Sequence, residues 1–277
     1  MAKADTMTDR FLMCRPQYFE VRYIINPWMA GNVHCVSQPD ADEQWTTLHR
    51  LMRDGAHVEL IEPEPNLPDM PFTANAGLVV GNTVLLSNFR YAERQTEEKH
   101  FERWFRDHGF AVHKLPREIS FEGAGDALLD RARSCIWMGY GHRSELAAGG
   151  HIEKLFGLEV IPLELTDPRF YHLDTCFCPL PGGSVMYYRN AFSPASQALL
   201  RSRIPVESAI LVDEKDALKF ACNAVSMGGK VILNSASDDL RNRLSQTGLR
   251  AELSPLSEFL RAGGASKCLT LRLEEPV

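Results

Sequence analysis

The chain has 277 residues, a formal net charge of −6, 44% hydrophobic and 24% charged residues. This is a globular composition, long enough to bury a sizeable core without disulfide staples. The acidic balance argues against nucleic acid or an anionic membrane as the main partner. No stretch approaches the length of a spanning helix, and the polar residues 1–10 hold no apolar signal core. Seven cysteines is an odd number without disulfide-like spacing, so a reducing cytoplasm is the expected setting.

Residues 1–10 read as a loose terminus. An apolar run at 11–14 follows, then a second at 19–25 that ends at Asn26-Pro27. A residue before proline is pushed out of the helical region, which places Asn26 at a strand exit. Trp45, Leu48, Leu51 and Met52 recur at helical spacing and predict a helix over 43–54, stopped by Gly55. A strand is expected at 57–61. Four prolines then make 62–71 a loop. Strands at 76–80 and 83–87 are joined by Gly81-Asn82. A charged helix over 96–108 carries Phe101, Trp104 and Phe105 on one face, and a strand at 110–115 follows. The order returns with strands at 127–129 and 135–139, a helix at 145–156 and a strand at 159–163. It returns again with strands at 171–177 and 185–188, a helix at 195–203 and a strand at 209–212. A further round has strands at 222–227 and 230–234, a helix at 238–246 and a strand at 250–253. A helix at 255–261 and a strand starting at Cys268 finish the chain.

This unit of roughly fifty residues recurs about five times if the N-terminal strands join the last segment, which points to a radial or stacked α/β architecture. No linker or composition shift divides the chain. It reads as one domain over 11–277, behind the loose terminus.

Chemistry-bearing residues fall at matching places in successive units, at a strand start beside a glycine or loop. They are Glu122 with Asp126, His172 with Asp174, and Cys268. Residues two apart in a strand share a face, so His172 and Asp174 are expected to meet one ligand. A radial arrangement would bring the thiol, the imidazole and the carboxylates together, as nucleophilic catalysis needs. Each has a plain alternative. A free cysteine is often a small buried apolar residue. A His-x-Asp pair is often a surface hydrogen bond, and a glutamate before a glycine turn is often exposed. Cys176 and Cys178 lack a second ligand pair, so no metal site is expected. Gly182-Gly183 and Gly228-Gly229 read as hairpin turns and not phosphate cradles, and no cofactor is expected.

Five segments carry a resemblance. They are Asp69-Met70-Pro71-Phe72-Thr73-Ala74-Asn75-Ala76-Gly77, Phe121-Glu122-Gly123-Ala124-Gly125-Asp126, Gly141-His142-Arg143-Ser144, Tyr171-His172-Leu173-Asp174 and Gly263-Gly264-Ala265-Ser266-Lys267-Cys268. In this order they resemble the guanidine-modifying superfamily of arginine deiminases, dimethylargininases, glycine amidinotransferases and arginine dihydrolases. The resemblance spans residues 11–273. It implies a five-bladed α/β propeller, the pentein fold, built of pseudo-fivefold ββαβ repeats. It implies that Cys268 attacks a guanidinium carbon, that His172 is the general acid and base, and that Glu122 holds both the histidine and the guanidinium. Asp174 is implied as a second guanidinium ligand. Arg94 and Arg143 are implied to bind the α-carboxylate of the substrate, with Asn26, Asp69 and Asn75 around the same pocket. Asp126 is implied to be structural. The chemistry suits these roles. Carboxylates hold a planar guanidinium through paired hydrogen bonds, and arginine suits a carboxylate. A thiol with a free pKa of about 8.5 needs a cation nearby, which protonated His172 or the guanidinium itself would supply.

Asn75 departs from the aspartate usual in deiminases and dimethylargininases, and the arginine dihydrolases resemble this chain more closely. The implied reaction converts arginine to ornithine, ammonia and carbon dioxide. A deiminase or dimethylargininase giving citrulline is an alternative, as is an amidinotransferase. A binding-only pentein should lack part of the Cys-His-Glu set, and all three residues are present. The expected partner is a small guanidino compound, with no nucleic acid and no membrane; a homo-oligomer stays open.

Overall fold

The computed structural model describes residues 9–273. Most of the expected loose terminus, residues 1–8, lies outside them, and Arg10 already opens a strand. β1 (Arg10–Cys14) is followed by a helix (Gln38–Arg53) and by β2 (His57–Ile61), which lies parallel to β1. The next sheet holds β3 (Gly77–Val80) and β4 (Thr83–Leu86), a helix (Glu98–Asp107), and β5 (Ala111–His113). The third holds β6 (Ala127–Asp130), β7 (Cys135–Tyr140), a helix (Ala148–Phe156) and β8 (Glu159–Glu164). The fourth holds β9 (Phe177–Pro179), β10 (Val185–Tyr187), a helix (Pro194–Arg203) and β11 (Ala209–Leu211). The fifth holds β12 (Val225–Met227), β13 (Lys230–Leu233), a helix (Asp238–Gln246) and β14 (Arg250–Leu253). Finally β15 (Leu271–Arg272) returns to pair with β1.

All five sheets obey one rule. The first strand pairs antiparallel with the middle strand, and the third pairs parallel with it. In the four sheets built from consecutive strands the reason is connection length. A short turn closes an antiparallel pair, whereas a parallel partner needs a crossover, here the helix. Four of the helices pack on the third strand of their own sheet, whereas Pro194–Arg203 packs on β8 of the neighbouring one. In Glu98–Asp107 the buried residues are Phe101, Trp104 and Phe105, the face expected from their spacing. The middle strands are buried along their length, as in Val84–Leu86 and Cys135–Gly139, because sheet faces are covered on both sides.

Two stretches differ from expectation. Residues 171–177 do not form one strand. Thr175 N and Oγ1 bond back to the His172 carbonyl at 3.2 and 2.6 Å, and Cys176 N bonds to Leu173 O at 3.1 Å. These local bonds close a 3₁₀ turn (Leu173–Thr175) and use groups a ladder would need. His172 and Asp174 therefore do not share a strand face. Residues 19–25 form no strand either. Asn26 is extended, with φ −152° and ψ 162°, but it caps a turn (Pro27–Met29) by accepting from Trp28 N and Met29 N. No helix among the described residues is long and apolar enough to cross a membrane.

Candidate active site

Each first strand is entered through a tight turn, and these turns carry the chemistry. Asn75 lies in the turn before β3. Glu122 leads into the turn before β6, and His172 and Asp174 belong to the turn before β9. Asn223 lies just before β12, and Cys268 lies in a turn before β15 instead of on the strand itself. Hydrogen bonds join these turns in sequence. Ala74 N donates to Cys268 O at 3.1 Å, and Asn75 Nδ2 to Glu122 O at 3.4 Å. Leu173 N donates to Asp126 Oδ1 at 3.0 Å, and Asn223 Nδ2 to Asp174 O at 3.1 Å. Ala265 N and Cys268 N both donate to Asn223 Oδ1 at 3.1 Å, which returns the chain of bonds to its start.

Cys268 is buried. Its Sγ lies 3.5 Å from Asp174 Oδ2 and accepts from Asn223 Nδ2 at 3.1 Å. Burial pushes the thiol well above its ordinary value, and the Asp174 charge adds to the effect. The thiol is therefore neutral near pH 7 and donates to Asp174. Asp174 is itself pushed up to about 7, chiefly by burial, against the pull of the Lys267 charge.

Glu122 is fully buried. Its Oε2 is 2.7 Å from His172 Nε2 and accepts from Arg143 Nη1 at 2.8 Å. Burial works to raise its pKa, but the Arg143 charge and the His172 hydrogen bond outweigh it. The carboxylate is held well below the usual range. Arg143 also donates to Ile25 O at 3.0 Å and lies over the rings of Tyr91 and Tyr171. Gly125 sits against this group. A Cβ there would lie 2.4 Å from Asn75 Nδ2 and 3.3 Å from His172 Nδ1, so a side chain is excluded.

Arg94 forms a fork with Glu97, at 2.9 and 2.8 Å, and donates through Nη1 to Asn75 Oδ1 at 2.8 Å. Asp69 accepts from Tyr23 Oη at 2.7 Å and lies 3.9 Å from Arg94 Nε. Asn26 Nδ2 donates to Ala262 O at 3.0 Å. Asn26, Asp69, Asn75, Arg94, Arg143 and Cys268 line one narrow cavity, together with the apolar Ile25 and Met29. Its free volume is about 10 Å³, room for a single water. Glu122, His172 and Asp174 stand behind it through Arg143 and Cys268. Every residue expected from the sequence is thus drawn into this region. The expected carboxylate-binding arginines are already committed to acids, Arg143 to Glu122 and Arg94 to Glu97.

The two glycines before the cysteine stand where a side chain would meet neighbouring rings. A Cβ on Gly264 would lie 2.4 Å from the Phe72 ring, and one on Gly263 about 3.0 Å from Tyr171, with φ +83° as well. Cys176 and Cys178 are buried and bond to the carbonyls of Leu173 and Ala224. Among the described residues no three metal-ligating side chains are grouped. The sequence reading missed Asn223, Glu97 and Tyr23. Asn223 could have been found by position, since it stands two residues before β12 as Asn75 stands two before β3.

The model of the N,N dimethylarginine dimethylhydrolase family, eukaryotic, matches residues 26–274. The chain is 52% identical over 268 residues to the bifunctional arginine dihydrolase/ornithine cyclodeaminase ArgZ of Synechocystis sp.; the match covers 97% of this chain and 38% of that protein's length. It is 38% identical over 273 residues to the N(G),N(G)-dimethylarginine dimethylaminohydrolase of Mycobacterium tuberculosis, covering 98% of this chain and 88% of that one. Among solved structures, the N-terminal domain of ArgZ, a cysteine-to-serine mutant bound to substrate, superposes with a TM-score of 0.96 at 51% identity. That match covers 97% of this chain and 99% of the domain. The α/β fold and these likenesses define a protein of the guanidine-modifying superfamily. Within it, the chain belongs to the N,N-dimethylarginine dimethylhydrolase family.

Proposed function

We propose that the chain is an arginine dihydrolase, converting L-arginine and two waters to ornithine, two ammonia and carbon dioxide through a covalent adduct on Cys268. The observation that carries the reading is the cavity itself. A buried thiol and two arginines line one small space, and an imidazole–carboxylate pair stands behind it, bonded to Arg143. Half identity to the dihydrolase domain supports the choice of substrate.

The substrate guanidinium lies between Cys268 and His172, held by Asp174 and Glu122. Its positive charge offsets the burial that keeps the thiol protonated, so ionisation accompanies binding. The Cys268 sulfur bonds to the guanidinium carbon. A C–N bond breaks, and His172 protonates the departing ammonia. A water deprotonated by His172 then attacks the same carbon and releases the sulfur, leaving a ureido group. In a second round the sulfur displaces the ornithine nitrogen, and water frees carbamate, which decomposes to ammonia and carbon dioxide. Asn75 is the residue assigned to the second round. A neutral amide tolerates the ureido oxygen, where an aspartate would repel it. Arg94 and Arg143, with Asn26 and Asp69 beside them, take the amino-acid end of the substrate.

The five like sheets form one catalytic domain in this reading, closed as a five-bladed propeller. The returning chain of turn-to-turn bonds and the β1–β15 pair support that closure. A cavity with room for one water does not admit arginine, so the Asn26–Met29 segment must open first.

Incubation with arginine tests the proposal. Ornithine with two equivalents of ammonia is expected. Citrulline accumulating without ornithine would instead mark a hydrolase that stops after one round, and the family's dimethylarginine-hydrolysing members make methylated arginine the second substrate to try.

A further inference from the structure

A second and larger cavity, about 420 Å³, lies on the far side of the turn layer and shares no lining residue with the first. The first strands of all five sheets wall it, through Leu271 of β15, Leu78 of β3, Leu128 of β6, Phe177 of β9 and Val225 of β12. The volume is within the range of small-molecule sites, about 300–1,000 Å³. Its charge is one-sided. Arg131, Lys267 and Arg272 line it, and among the described residues no carboxylate does, in a chain whose net charge is −6. Arg272 is turned to Asp9 and to Ser226 O. Lys267 differs. It is half-buried at the inner end, its Nζ meets the Ala124 carbonyl at 3.3 Å, and among the described residues no carboxylate pairs with it.

We propose that this cavity is a binding site for a small organic anion with an apolar body, whose carboxylate or sulfonate pairs with Lys267. A half-buried ammonium among apolar walls, with one carbonyl partner, has hydrogen-bonding capacity to spare. A bare inorganic anion would leave the leucine and phenylalanine walls against water, whereas an apolar body removes that surface from solvent. The two cavities share no lining residue, although the Lys267 charge also acts on Asp174 and Cys268 across the turn that separates them.

The fluorescent anion anilinonaphthalene sulfonate is a direct probe, with N-phenylnaphthylamine as its neutral counterpart. Fluorescence titration of the wild-type chain is expected to show saturable binding of the anion and weaker binding of the neutral compound. Lys267→Met should weaken the anion by about 10–100-fold, the loss of one charge-assisted hydrogen bond. Ala132→Trp, in the exposed turn at the mouth, should abolish binding by filling the entrance, with the melting temperature unchanged. Anion binding that survives both substitutions would overturn the proposal, as would equal affinity for the neutral compound or no saturable binding by wild type. The readout needs no catalysis, so it stands apart from the fate of the dihydrolase reading.

Discussion

Cys268 donates to Asp174 in a buried space; burial and the Asp174 charge keep the thiol from ionising, while burial, against the pull of the thiol hydrogen bond, raises Asp174. A reaction that depends on the sulfur therefore depends on a cation arriving. Cys268→Ser should lower arginine turnover by roughly 10³–10⁶-fold, measured as ammonia release, while arginine still protects the variant in a thermal melt. Retained turnover would remove the covalent mechanism. Asn75→Asp places a carboxylate against Arg94 Nη1, which already donates there at 2.8 Å, so the fold should survive. The expected change is in product, from ornithine toward citrulline, read by amino-acid chromatography. Asp126 makes a separate prediction. It accepts from Ser144 Oγ at 2.6 Å and Leu173 N at 3.0 Å, and burial pushes it up to about 6 from 3.8. The folded state holds this proton more tightly than the unfolded chain. The stability it contributes is therefore full below about pH 4 and lost as pH rises through 6, up to about 3 kcal/mol. Asp126→Asn should lose less stability than wild type between pH 4.5 and pH 7 in urea titrations. Among single residues, Cys268, His172, Glu122 and Asp174 were legible in the sequence through their matching places in successive units, whereas Glu97 was lost among the charges of its own segment. Asn223 was not legible, because an uncharged amide gives no chemical signal until its partners, Cys268 and Asp174, are seen beside it.

The elements that matter most are the short turns. The strand at His57–Ile61 and the helix at Asp238–Gln246 were legible to the residue, because alternation or helical spacing runs between clear stops. The turn at Leu173–Thr175 was not. Its hydroxyl and amide bonds close on the chain itself, and the apolar alternation around it continues into β9 as if it were one strand. The Asn26 turn hid in the same way behind an apolar run in which Phe19, Val21 and Ile25 are buried without forming a ladder. The turns set the site by contact with one another, and Gly125 is where they come closest. Gly125→Ala forces Asn75 or His172 to move by several tenths of an ångström. About a hundredfold loss of kcat is expected, since misplacement by an ångström costs that much. A melting temperature within a few degrees of wild type (a shift of about 4 °C or less) would separate this from simple unfolding.

Across the whole molecule, the repeat of hairpin, helix and parallel strand was legible five times over, though the sequences of the units differ. The pattern also anticipated that the N-terminal strand joins the last segment, and β1 pairs with β15. β1 is the middle strand of its sheet, held by β2 on one side and by β15 on the other, with Phe11 opposite Arg272 and Leu12 opposite Leu271. Arg272 adds an ion pair to Asp9 and a hydrogen bond to Ser226 O. Removing residues through Cys14 takes out that middle strand and four buried side chains, Phe11, Leu12, Met13 and Cys14, the first three each worth about 2–5 kcal/mol. Loss of cooperative unfolding by calorimetry is expected, together with loss of turnover.

The pairing of β1 with β15 also orders events in time. During synthesis β1 is made well before its antiparallel partner, which follows the strands of the other four sheets. Until Leu271 emerges, a buried apolar strand carries an open edge of unpaired amides, the kind of edge that recruits strands from other chains. The nucleophile travels with that late partner, so the unfinished chain holds the histidine and the carboxylates but no reactive sulfur beside them.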